Sequence, residues 1–91
     1  MERITIRMMN EYRNAGAAKR RSPRMQQIRE RIDGMIKEIL ADRNIPDRRA
    51  HLLHKRFVLR MSVQQVCMSL YISERTYFRE MRKIKAQIER Q

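Results

Sequence analysis

Ninety-one residues suit one hydrophobic core, and a second domain among them is not expected. With 22 Lys and Arg against 10 Asp and Glu the net charge is +12, which opposes a compact monomer unless an anion neutralises it; nucleic acid is the first partner class, ahead of membrane surfaces and acidic proteins. Two Gly, two Pro, few aromatics and apolar residues weighted to Met, Ile and Leu favour helices over sheets, so the expected fold class is all-α.

The opening stretch "MERITIRMMNEYR" lacks the apolar centre of a secretory signal, and no run in the chain approaches the roughly 20 apolar residues that span a bilayer. A soluble protein that keeps its N-terminus and contacts no membrane is expected. Ile4, Met8 and Tyr12 recur at four-residue spacing and predict a short amphipathic helix over about 2–14, diluted by Thr5, Ile6 and Asn10. "NAGAAKRRSP" then reads as a helix end and connector. Its basic cluster at 19–21 is in the first place a solvated charge run, with phosphate contact as the alternative.

Ser22 before Pro23 starts a helix, because the serine oxygen can accept from a free backbone N–H and proline has no N–H to leave unpaired. The helix is predicted over 23 to about 43. Met25, Ile28, Ile32, Met35, Ile36, Ile39 and Leu40 form one stripe against Arg29, Arg31, Lys37 and Arg43. The stripe suits a core, and Met25, Ile28, Ile32, Met35 and Ile39 also make a candidate homodimer seam. "RNIPD" breaks the pattern, since Pro46 disfavours helix at Ile45 and Asp47 can cap the next helix. This break divides the chain into N-terminal helices over 1–45, a candidate dimerisation or docking segment, and a second segment over 46–91.

From about 47 to 60, Ala50, Leu53 and Phe57 line one face with Leu52 and Leu59 on its flanks. His51 and His54 lie near enough to share a metal, but no third ligand accompanies them, so they read as ordinary surface or half-buried histidines and no metal or cofactor is expected. Ser62 with Gln65 has capping-box spacing and opens a short helix in which Val63, Val66 and Leu70 face inward. Cys67 is read as a small buried spacer where another helix crosses. No side-chain pattern around it suggests an activated thiolate, and the same lack argues against any enzyme. A single cysteine permits no internal disulfide and fits a reducing, cytoplasmic compartment.

After a corner at Tyr71 and Ile72, Ser73 caps a last helix to about residue 90, with Tyr77, Met81, Ile84 and Ile88 as its inner face. The outer side keeps Glu74, Arg75, Phe78, Arg79, Arg82 and Lys83 in the first three turns. A major-groove reader carries its contacts there: Arg can donate two bonds to guanine, Glu can accept from cytosine, and an apolar ring can touch a thymine methyl.

From Ile36 to Gln91 the order "IKEIL…RRAHLLHKRF…MSVQQVCMSLYISERTYFREMRKIKAQIE" resembles the helix-turn-helix module of region four of bacterial sigma factors, in the flavour of the ArpU/RinA-like phage and prophage transcriptional regulators. "LLHKRF", "SVQQV..SL" and above all "IS.RTY.RE" carry the likeness, and residues before Ile36 lie outside it. The resemblance implies a small helical domain with a C-terminal helix-turn-helix, DNA-facing roles for Glu74, Arg75, Phe78, Arg79 and Lys83, and a core role for Tyr77. The chain departs from the family pattern at Arg60–Met61, where relatives usually have a glycine-containing turn, and at Tyr71, where Gly is common. If residue 71 takes φ > 0 the tyrosine bears a steric cost, so the corner either opens or has Tyr71 packed over it.

The expected function is sequence-specific binding of double-stranded DNA in transcription regulation, with Arg48, Arg49, Arg60 and the 19–21 cluster gripping phosphates. One such module buries little surface, so a dimer, RNA polymerase or further DNA contacts are expected to support it. Two alternatives stand beside this reading. One is a DNA-recognition protein of phage packaging, like a small terminase subunit; the other is a basic helical adaptor for an acidic protein such as RNA polymerase.

Overall fold

The structure of the chain, a computed structural model, describes residues 4–89. It contains α1 (Ile6–Asn14), α2 (Ala17–Arg20), α3 (Pro23–Ala41), α4 (Asp47–Leu53) continued by a π-helical turn (His54–Val58), α5 (Val63–Leu70) and α6 (Glu74–Glu89), with no strand among the described residues. The fold is all-α, as composition predicts.

Most helix starts are set by a local hydroxyl. Thr5 accepts from Met8 N–H at 3.1 Å, so α1 begins at Ile6 rather than at residue 2; residues 2 and 3 of the expected helix lie outside the described residues. The threonine that weakens helix propensity becomes the cap. Ile4 and Tyr12 of the expected row are buried, but in this phase Met9 takes the core place expected of Met8, which is left half-buried. The connector holds one helical turn, α2, which the sequence did not predict.

Ser22 caps α3 by accepting from Met25 N–H, with Pro23 at the first helical position. The helix stops at Ala41, two residues early, where the Asp42 carboxylate accepts from Asn44 N–H at 2.9 Å and turns the chain. Met25, Ile28, Ile32, Met35 and Ile39 are 0–5% exposed, covered by α1, α4 and the π turn packed on α3. The candidate dimer seam is therefore spent on the core of a single chain. Of the stripe only Leu40 is largely exposed.

The start of α4 differs from expectation. Pro46 occupies the N-cap position and Asp47 is the first helical residue, so no side chain caps this helix, and the Asp47 charge instead lies in the first turn where the helix dipole favours an anion. The helix then widens, with Leu59 N–H donating to His54 C=O at 3.0 Å in an i→i+5 bond. The inserted residue re-phases the end of the helix, so that Phe57 and Val58 are both buried and Leu59 is exposed; Leu52, ahead of the π turn, is fully buried rather than flanking.

Arg20 closes this end. Its guanidinium donates to the Phe57, Val58 and Tyr12 carbonyls at 3.4, 3.2 and 3.3 Å and lies 4.2 Å from the centre of the Tyr12 ring. Cationic donors at a helix C-terminus satisfy carbonyls that have no partner within the helix. Arg20 is thus engaged internally, whereas Lys19 and Arg21 are solvated.

One core crosses the break at Pro46: side chains of α1 and α3 join those of α4, α5 and α6 in a single apolar cluster. Cys67 is buried in it at 6% exposure, and burial, followed by the charge of Glu74, pushes its thiol pKa up. No helix among the described residues is long and apolar enough to cross a membrane.

Candidate nucleic-acid interface

The corner between α5 and α6 is built from short-range signals. Ser62 Oγ accepts from Gln65 N–H at 3.1 Å while Gln65 Oε1 accepts from Ser62 N–H at 2.9 Å, a complete capping box. At the other end of α5, Tyr71 has φ 55° and ψ 44°. Ile72 N–H donates to Cys67 C=O at 3.0 Å and Tyr71 N–H to Met68 C=O at 3.4 Å, the paired bonds of a Schellman motif. The corner closes with tyrosine in the left-handed region that glycine usually fills. Tyr71 does not pack over it, since it is 95% exposed. Arg60, ahead of α5, has φ 62° as well.

Ser73 Oγ then accepts from Thr76 N–H at 3.1 Å and opens α6. Tyr77, Ile84 and Ile88 are buried as predicted, and Met81 is partly buried. On the opposite side Glu74, Arg75, Phe78, Arg79, Arg82 and Lys83 are all exposed. Phe78 keeps half its surface in solvent while meeting the Tyr77 ring edge-to-face at 5.1 Å. The face chosen from sequence is thus brought together on one helix.

The flanking arginines divide. Arg49 Nε donates to Glu80 Oε2 at 2.7 Å, Arg48 lies 3.6 Å from Glu80 Oε1, and Glu80 is only 3% exposed. Burial alone raises the Glu80 carboxyl; the Arg49 hydrogen bond and the charges of Arg49, Arg48 and Lys83 outweigh it and hold the group below its ordinary value. Arg49 is therefore committed to a carboxylate inside the chain, whereas Arg48 remains partly open to solvent. Arg60 is exposed near the other end of α5.

Sequence reasoning missed Glu80. Its signal was positional: it follows Tyr77 by three and precedes Ile84 by four, on the buried stripe, but a charged residue is not read as core. It also missed two arginines near Arg60. Arg13 of α1 has its Nε buried without a hydrogen-bond partner, and Arg56 of the π turn donates to Met61 C=O at 2.7 Å, just before the α5 cap. Burial first, then the charges of Arg56 and Arg60, lower the Arg13 pKa. The Tyr77 hydroxyl shares this neighbourhood: burial pushes its pKa up, and Arg56 and Arg13 oppose the shift. Among the described residues no group of three His, Cys, Asp or Glu is placed to hold a metal ion.

No family model matches the chain, and comparisons with curated proteins and with solved structures give no match.

Proposed function

We propose that the chain is a sequence-specific DNA-binding transcriptional regulator, of the phage or prophage kind its sequence resembles, in which α5 and α6 act as a helix-turn-helix and α6 enters the major groove from Ser73 onward. The observation that carries this reading is the division of α6: an outer row of Glu74, Arg75, Phe78, Arg79, Arg82 and Lys83 is free of the core, while Tyr77, Glu80, Ile84 and Ile88 anchor the opposite side. Exposed Arg and Glu at the start of a rigidly held helix have the reach and the donor and acceptor types to read base edges.

In this reading Arg48 and Arg60 contact phosphates, while Arg49 positions α6 through Glu80. The net charge of +12 supplies the nonspecific part of the affinity and a steep salt dependence. The chain works as a binding protein and not an enzyme; a buried thiol with a raised pKa is a poor nucleophile. Selection of bound fragments from random duplex DNA, with the mass of the complex measured alongside, tests the reading. An enriched motif is expected, and none would overturn it.

The adaptor reading keeps one supporting observation. Met68 and Tyr71 are 77% and 95% exposed around the corner, apolar surface of the kind that protein partners cover. An acidic partner bound there, with no enriched DNA motif, would replace the leading reading.

A further inference from the structure

We propose that Arg13, Arg56 and Arg60 form a binding site for one phosphate group beside the start of α5. Three separate elements supply the site. Packing of α1 on the π turn delivers Arg13; the hydrogen bond to Met61 C=O fixes Arg56; and Arg60 stands just ahead of the Ser62 cap in a left-handed conformation.

Among the described residues the cluster has no counter-ion. None of the three arginines forms an ion pair with a carboxylate among the described residues, although Glu11, Asp33 and Glu80 each pair with other arginines. Arginine stays charged at neutral pH, so the site carries three mutually repelling cations. Arg13 feels both of the others, and its buried Nε–H has no acceptor. The Tyr77 hydroxyl beside them brings no negative charge: tyrosine is neutral at this pH, and burial pushes its pKa higher still.

A phosphate group supplies what is absent. It brings negative charge to offset the repulsion and several acceptor oxygens, and guanidinium forks match those oxygens in geometry. The positive end of α5 adds to the same field. The chemistry of the site stands on these residues; only the source of the phosphate, a nucleic-acid backbone, rests on the DNA-binding reading.

Thermal unfolding with inorganic phosphate as the probe tests the site. Millimolar sodium phosphate is expected to raise the unfolding midpoint of the natural chain by more than sodium chloride of equal ionic strength. At such concentrations the general exclusion effects of phosphate are small. Arg13→Gln and Arg60→Gln should abolish the difference and Arg60→Lys should retain most of it. Each variant is compared with itself with and without phosphate, so a lowered starting stability does not obscure the result. If Arg13→Gln does not fold, the exposed Arg60 carries the test alone. Equal responses to phosphate and chloride in the natural chain, or an undiminished phosphate response in the glutamine variants, would overturn the proposal.

Binding to random-sequence duplex DNA identifies the source. If backbone phosphate occupies the site, Arg60→Gln lowers the slope of log Kd against log salt by about 1. An unchanged slope with the phosphate response intact assigns the site to a free phosphate or a small phosphorylated molecule. The two readings fail separately: absence of an enriched DNA motif leaves the phosphate response in place, and a missing response beside a clear motif removes only the cluster.

Discussion

Arg49 Nε meets Glu80 Oε2 at 2.7 Å, and this joins α4 to the buried side of α6 through the one ion-paired carboxylate among the described residues that is almost closed to water. Removing one partner of such a pair leaves a buried charge unmatched, which typically destabilises by about 3–5 kcal/mol, whereas replacing both by apolar residues is often neutral. Arg49→Met is therefore expected to cost about 3 kcal/mol, near the low end because Arg48 still faces the carboxylate. Arg49→Met with Glu80→Met should recover most of it. Urea unfolding of the three chains makes the comparison; a double variant no more stable than Arg49→Met would show that the pair does not act as a unit.

The same carboxylate sets a pH dependence. Burial raises its pKa, but the Arg49 hydrogen bond and neighbouring cations lower it further, so the folded value lies below the unfolded 4.5. A depressed carboxyl contributes stability that is fully present above the unfolded pKa and is lost as pH falls through the folded one. The natural chain should lose stability progressively below about pH 4.5. In Glu80→Gln the decline over that window should be shallower, as read from urea midpoints between pH 6 and 3; parallel curves would remove Glu80 as a cause.

Tyr71 closes the α5–α6 corner at φ 55° while burying almost none of its side chain. A non-glycine residue in this region carries a penalty of roughly 1–2 kcal/mol, and glycine is the usual occupant after a helix of this kind. Tyr71→Gly is expected to stabilise the chain by about 1 kcal/mol and raise its unfolding midpoint. A lower midpoint would mean that the ring supports the corner despite its exposure.

Arg20 connects residues far apart in sequence, donating to carbonyls 37 and 38 residues away as well as to Tyr12. Arg20→Met strands those acceptors and should destabilise by about 1–3 kcal/mol. Arg20→Lys should recover only part of the loss, because a single ammonium cannot spread its donors over three carbonyls as the guanidinium does. Faster amide exchange in the π turn of the methionine variant, at Leu59 first, is the local signature.

Why some of the structure could be read from the sequence follows from these contacts. Ser22, Ser62, Gln65 and Ser73 find their partners within three residues, so their spacing displays the caps directly. The outer row of α6 follows from helical period once Tyr77, Ile84 and Ile88 are placed inside. The π turn, the three hydrogen bonds of Arg20 and the burial of Glu80 depend on elements brought together only by folding. Thr5 shows the same limit at short range: its low helix propensity is visible, but whether it weakens a helix or begins one depends on which of Met8 and Met9 the core accepts.

The outer row of α6 leads to the last expectation. Arg75 and Arg79 lie one turn apart on an exposed face, and Arg79 touches the Glu80 network only at 4.0 Å, so their removal should leave the fold intact. An arginine that reads a base contributes about 1–3 kcal/mol of discrimination, whereas one that meets only phosphate weakens all sequences alike. Arg75→Ala and Arg79→Ala are each expected to weaken binding to the selected site by about 1–3 kcal/mol and binding to random duplex by much less, with unchanged unfolding midpoints. Titrations of both DNAs at one fixed salt concentration measure the difference. Equal losses on the two would reduce α6 to a phosphate-binding helix and move any base recognition elsewhere on the chain.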